Sequence, residues 1–234
     1  MKYARPLIRA VLIRRYKRFL ADVTLRDGTE VTAHCANPGA MTGLAEAGTL
    51  VWLEPNDDPK RKLRYSWKLA EIGGALVGID TALPNKVMGE ALNAGEIPAL
   101  AAYRTVRAEV KYGENSRVDF LLTQDGLPDC YVEIKSANLC RMAGLVEFPD
   151  TVTKRGAKHM DELAAMVAEG HRAVVLYLVQ RTDCDAFAVA DDIDAAYASA
   201  FQAARDAGVE ALCCRAVLTL QGASLGEALP IVSR

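Results

Sequence analysis

No apolar run in this sequence is long enough to cross a bilayer. The longest, residues 173–179, falls far short of the roughly 20 residues that a spanning helix needs. Arg9, Arg14 and Arg15 cut short any apolar segment near the N-terminus, so no secretory signal is expected. Six cysteines (Cys35, Cys130, Cys140, Cys184, Cys213, Cys214) include no C-x-x-C pair and have no histidine at ligand spacing. That argues against a zinc site and a disulfide framework and makes a reducing cytoplasm the expected setting. Of only three histidines, His34 and His171 have no acid–nucleophile constellation around them and read as structural. Internal repeats, low-complexity tracts, Gly-rich phosphate loops and a helix-turn-helix are also missing. The net charge of −2 supplies no global field toward nucleic acid or membrane.

What is present is a soluble, globular composition, 25% charged and 51% hydrophobic over 234 residues, enough for one large or two small domains. The charge is unevenly placed. Lys2, Arg5, Arg9, Arg14, Arg15, Lys17 and Arg18 precede the first acid, and Lys60, Arg61, Lys62, Arg64 and Lys68 form a second basic run. Asp183, Asp185, Asp191, Asp192 and Asp194 gather late. A basic N-terminal face follows, with Arg14, Arg15 and Lys17 as candidate nucleic-acid contacts; a merely solvated surface is the alternative.

Up to about residue 79 the chain reads as short strands (10–16, 19–25, 30–35, 49–54, 63–72, 75–79) separated by turn residues, which suggests a small barrel or sandwich. Asn37-Pro38-Gly39-Ala40-Met41 is a tight loop in which Asn37 and Gly39 tolerate positive φ. The character changes near residue 81, which sets expected domains at 1–80 and 81–234. A short helix over 86–92 stops at Gly95 and carries Glu90, either a surface acid or a further carboxylate for a site. A strand at 105–110 follows. A longer helix is expected over 152–169, capped by Asp150 or Thr151, with Lys154, Arg155, Lys158 and His159 in its early turns: a solvated basic face or a phosphate contact. The continuous apolar run 173–179 is a buried strand. A helix over 193–207, with Asp191 or Asp192 near its start, and a strand over 209–216 complete an α/β pattern with a mixed sheet.

The centre of that second half is Arg117-Val118-Asp119-Phe120-Leu121-Leu122, a turn at Gln124-Asp125-Gly126-Leu127-Pro128, then Tyr131-Val132-Glu133-Ile134-Lys135-Ser136. Asp119 and Glu133 are equidistant from Gly126, so a hairpin sets them opposite each other, with Cβ atoms roughly 5 Å apart. Lys135 leaves the strand on the same face as Glu133. Two facing carboxylates need a cation, a shared proton or water. Hard oxygen ligands suit Mg²⁺ or Mn²⁺, beside which Lys135 would orient a water. A solvated hairpin with an ordinary Glu–Lys pair is the alternative.

This D…ExK hairpin resembles the PD-(D/E)XK nuclease superfamily. Together with Asn85…Glu90-Ala91-Leu92 and Phe148-Pro149-Asp150-Thr151-Val152-Thr153-Lys154-Arg155-Gly156-Ala157-Lys158-His159, it is similar to the sugar fermentation stimulation protein family over essentially the whole chain. The resemblance implies an α+β two-domain protein: an OB-like β-barrel, then a PD-(D/E)XK restriction-endonuclease-like α/β domain with a mixed sheet. It further implies a bacterial, DNA-binding protein. Asp119, Glu133 and Lys135 match the nuclease motif, and Glu90 matches the acid on the preceding helix. The loop at Asn37 departs from the family's pattern, which commonly has Thr after the Asn and Arg or Ser after the Gly. Two functions are expected to compete. One is a Mg²⁺- or Mn²⁺-dependent nuclease on DNA or RNA, with largely sequence-independent binding. The other is a non-catalytic DNA-binding regulator of sugar metabolism genes with a vestigial site.

Overall fold

Six strands open the chain in the computed structural model, which describes residues 1–113 and 116–233. They are β1 (Ile8–Tyr16), β2 (Leu20–Leu25), β3 (Glu30–Cys35), β4 (Leu50–Pro55), β5 (Tyr65–Ile72) and β6 (Ala75–Gly78). The order β3-β2-β1-β4-β5-β6 closes on itself where β3 pairs with β5 at His34–Ser66 and Cys35–Trp67, making a five-stranded OB-like barrel with β6 appended. Every expected strand forms, with ends shifted by a residue or two. The period-two alternation explains the closure: Ala10 and Leu12, Ala21 and Val23, and Val51 and Leu53 point inward to one core around Trp67.

The second unit comprises α1 (Leu83–Ala94), β7 (Thr105–Tyr112), β8 (Ser116–Thr123), β9 (Cys130–Ala137), β10 (Leu139–Met142) and β11 (Gly144–Phe148). It continues with α2 (Lys154–Ala168), β12 (Arg172–Val179), β13 (Cys184–Val189), α3 (Ala195–Asp206), β14 (Glu210–Leu218) and β15 (Ala223–Ala228). Its main sheet runs β15-β14-β12-β9-β8-β7, with β12 parallel to both β9 and β14 and the outer pairs antiparallel, so the sheet is mixed. Val174, Leu176 and Leu178 pack toward α1, while Val175, Tyr177 and Val179 pack toward α2 and α3. Burial on both faces is why β12 reads as an unbroken apolar run.

Several expectations are corrected. Helix α2 is capped by Thr153, whose side chain accepts from the Gly156 N–H at 3.0 Å, rather than by Asp150 or Thr151. Helix α3 is capped by Asp194, with Asp191 and Asp192 near its start as expected. Asp194 does more than cap its own helix: Oδ1 accepts from Tyr197 N at 3.0 Å and Oδ2 from Thr153 N at 2.7 Å, so one buried carboxylate fixes both helix N-termini. Strands β13 and β15 were not expected; β13 pairs in parallel with β11 in a separate three-stranded sheet. In the Asn37 loop it is Met41 (φ 54) and Gly43 (φ 74) that take left-handed backbone. Asn37 acts through its side chain, accepting from Gly39 N at 2.8 Å and donating to Ile79 O at 3.0 Å.

The barrel and the sheet are joined through β6. Gly78 N donates to Gln180 O at 2.8 Å and Thr182 N to Leu76 O at 3.2 Å. A Cβ on Gly78 would lie 2.5 Å from Gln180 Oε1, so a larger residue there would require the Gln180 side chain to shift.

Candidate active site

The hairpin register is Phe120–Val132, Leu121–Tyr131, Leu122–Cys130, and its continuation sets Asp119 against Glu133. The backbone ladder ends one pair short of them. There Asp119 Oδ2 itself accepts the Ile134 N–H at 2.7 Å, and Oδ1 accepts from the Asn85 amide of α1 at 2.7 Å. Glu133 is 3% exposed and leaves β9 toward α2, with Lys135 on the same face. Lys135 Nζ donates to Glu133 Oε1 at 2.8 Å. Helix α2 brings a third group: His159 Nδ1 meets the same Glu133 oxygen and lies 3.2 Å from Lys135 Nζ. Arg155 Nε donates to His159 Nε2 at 3.2 Å, which makes Nε2 the acceptor and Nδ1 the donor toward Glu133.

The two carboxylates therefore live in different fields. Burial pushes Glu133 up, but the His159 hydrogen bond and the Lys135 charge together hold it below the usual glutamate range. Asp119 is raised, first by burial and then by the Glu133 charge, against its hydrogen bonds from Ile134 and Asn85. The repulsion expected of the opposed pair is thus absorbed on one side only, by partners on β9 and α2. One atom is left over. Glu133 Oε2 is buried and has no hydrogen-bond partner among the described residues. A buried carboxylate oxygen with an empty lone-pair environment, beside a second carboxylate, fits a divalent cation.

Glu90 does not join them. Its side chain is 63% exposed and pairs with the Met1 amino group at 2.6 Å, while Asn85 occupies the side of α1 that faces Asp119. Among the described residues no group of three His, Cys, Asp or Glu side chains is arranged to hold a metal. Any metal here would rest on Asp119 and Glu133, completed by backbone oxygen or water, which suits an ion that retains several waters.

The basic candidates separate. Arg14 Nε pairs with Asp22 at 2.8 Å, and Arg15 Nη2 donates to the Asn37 carbonyl at 2.7 Å. Lys17 lies exposed in the β1–β2 turn. On α2, Lys154 and Arg155 are exposed and Lys158 pairs with Glu162 at 3.3 Å. A cleft of about 490 Å³ opens between barrel and sheet beside Lys135, lined among others by Arg18, Asn37, Gly39, Ser136 and Thr153. Sequence reasoning gave no site role to Asn85 or Arg18, and read His159 as part of a basic helix face or a phosphate contact rather than as a partner of Glu133. The i, i+4 spacing of Arg155 and His159 puts both on one helical face and is the signal that was available.

A family model described as the sugar fermentation stimulation protein RE domain matches residues 82–222, and one described as the SfsA N-terminal OB domain matches residues 13–79. A sugar fermentation stimulation protein homolog of Ruegeria sp. (strain TM1040) is 61% identical over 231 residues, covering 98% of this chain and 100% of the relative. One from Roseobacter denitrificans is 59% identical over 233 residues, covering 99% of each chain. Among solved structures, Pyrococcus furiosus SfsA in complex with Ca²⁺ superposes with a TM-score of 0.89 at 26% identity, covering 99% of this chain and 98% of that one. Among the described residues no helix is long and apolar enough to cross a membrane.

Proposed function

The chain belongs to the sugar fermentation stimulation protein family, and from that premise we propose that it is a divalent-metal-dependent nuclease hydrolysing phosphodiester bonds in DNA or RNA. The observation that carries this reading is the buried, unpartnered Glu133 Oε2 beside Asp119, with Lys135 held on the other Glu133 oxygen. The Ca²⁺ complex of Pyrococcus furiosus SfsA supports a divalent ion in this family. Asp119 and Glu133 would hold Mg²⁺ or Mn²⁺, with the Ile134 carbonyl as a candidate further oxygen. What such an ion supplies when bound is Lewis acidity and neutralisation of charge on the phosphate.

The remaining work falls to this chain's side chains. Lys135 positions the attacking water next to the scissile phosphate. His159 keeps Glu133 ionised and oriented, and Arg155 fixes the tautomer in which His159 does so. Asn85 and the Ile134 N–H orient Asp119. Lys154, Arg155 and Lys158, at the α2 N-terminus, supply candidate contacts to the substrate backbone, where helix dipole and cations favour the same anion. Lys17, from the barrel, is a candidate outer contact.

A second reading has its own support. Glu90 lies at the surface instead of completing a three-acid set, and one Glu133 oxygen is already engaged by His159 and Lys135. Those features favour a DNA-binding regulator of sugar metabolism genes with a vestigial site. Incubation with single- and double-stranded DNA and RNA under Mg²⁺ or Mn²⁺, read on a gel, separates the two. Metal-dependent cleavage that Asp119→Asn abolishes supports the nuclease; binding with no cleavage of any substrate leaves the regulator.

A further inference from the structure

We propose that the cleft between barrel and sheet receives a single strand of nucleic acid, or a strand end, rather than a duplex, and that Arg18 is the barrel's contact to its phosphates. This rests on reading Asp119, Glu133 and Lys135 as the nuclease site.

The first argument is size. At about 490 Å³ the cleft has the capacity of a small-molecule pocket, enough for nucleotide-sized groups. A double helix, whose major groove alone is about 12 Å wide, does not fit such a space. The cleft's two walls are also tied to each other in two places. On one side Met41 N donates to Asp150 Oδ2 at 3.3 Å, and a Cβ on Gly39 would overlap the same carboxylate. On the other, Asn138 Nδ2 donates to Gly78 O at 3.3 Å, and Gly78 N to Gln180 O at 2.8 Å. Lys135 lines the cleft from inside, so a strand reaching it must pass between the walls.

The second argument is charge. Glu147 also lines the cleft, but Arg141 covers it with hydrogen bonds of 2.8 and 2.7 Å. From the barrel side Arg14 is tied to Asp22 and Arg15 to the Asn37 carbonyl, and Arg18 is the arginine of that run that lines the cleft. Its turn is unusual: Lys17 (φ 47) and Arg18 (φ 62) are consecutive non-glycine residues with left-handed backbone. Arg15 Nε braces that turn by donating to the Arg18 carbonyl at 3.0 Å. Arg18 from the barrel and Lys135 from the sheet both line the cleft, so a strand entering it meets two cationic residues that can take its phosphates.

The test is fluorescence anisotropy of the full chain in Ca²⁺ with a labelled single-stranded DNA of about eight nucleotides, within the usual site size of an OB barrel, and with a blunt hairpin duplex of the same sequence. The single strand is expected to bind at least about tenfold more tightly. Arg18→Asn, which keeps a residue tolerant of left-handed backbone, should weaken single-strand binding about tenfold, the scale of one charged hydrogen bond. It should leave duplex binding unchanged. Arg18→Gly should repeat the result, and Arg26→Asn, in the β2–β3 turn, should change neither. Equal affinities, no single-strand binding, or an Arg18→Asn protein that binds as tightly as wild type would overturn the proposal. Single-strand preference without cleavage in Mg²⁺ or Mn²⁺ would defeat the nuclease reading and keep this one; cleavage within duplexes without the preference would do the reverse.

Discussion

The barrel and the sheet treat charge in opposite ways. The barrel is rich in cations in sequence, yet several are tied down internally: Arg14 by Asp22, Arg15 by the Asn37 carbonyl, and Lys68 by Asp80 at 2.7 Å and Glu54 at 3.5 Å. In the sheet, a few charges are buried together and one of them, Glu133 Oε2, stays unpaired. An exposed pair such as Arg14–Asp22 contributes little, whereas an unsatisfied buried carboxylate oxygen is costly without a partner. A basic count in the sequence therefore points less directly to a ligand than does a buried carboxylate oxygen left without a partner beside a second carboxylate.

The largest expected effect is on chemistry in the sheet. Lys135→Ala should lower metal-dependent cleavage by about two to four orders of magnitude, the scale of one positioned proton-transfer group. It should retain most of the metal-induced gain in melting temperature. Loss of that gain together with cleavage would show Lys135 to be a structural counter-ion.

Stability comes next, and the two carboxylates should respond with opposite sign. Glu133 is held below the usual range, so its contribution is present above that range and fades as pH falls through its lowered value. Glu133→Gln should cost about 3 kcal/mol at neutral pH, since it strands the buried Lys135 and His159 partners. Asp119 is raised, so its contribution is present at low pH and is lost as pH rises through its elevated value. Asp119→Asn should flatten that loss. Urea midpoints across about pH 2–7 measure both. Parallel curves for the two variants would contradict the unequal environments.

Much of this was legible in the sequence. The turn centred on Gly126 sets the register that opposes Asp119 and Glu133, and period-two alternation outlines the barrel. Glu90 was misplaced for a geometric reason. Asn85 and Glu90 are five residues apart, about 140° around a helix, so once Asn85 faces Asp119 the acid must turn away. His159 was hidden because its partner Glu133 lies 26 residues distant, on a strand that only tertiary packing brings to α2. The α2 cap was misread for a like reason: Thr153 is selected by Asp194, 41 residues on. Strand β13, preceded by Asp183 and carrying Asp185, reads as loop until its parallel partner β11 is known.

The smallest effect tests the barrel side of the contrast. Lys154→Ala should reduce the salt dependence of DNA affinity by about one unit of log–log slope, as loss of a single phosphate contact does. Arg14→Ala and Arg15→Ala should leave that slope nearly unchanged, with Arg15→Ala instead loosening the Asn37 loop. Equal slope changes from all three would restore the barrel's basic run to the binding surface.

The central claim is that Asp119 and Glu133 hold a divalent ion, and melting temperature with and without Mn²⁺ tests it most directly. With Mn²⁺ about 100-fold above its Kd, the wild-type melting temperature should rise by about 5–10 °C, as expected for a chain of this size. Asp119→Asn should rise far less at the same concentration. Equal shifts in both proteins, or no shift in either, would contradict the account.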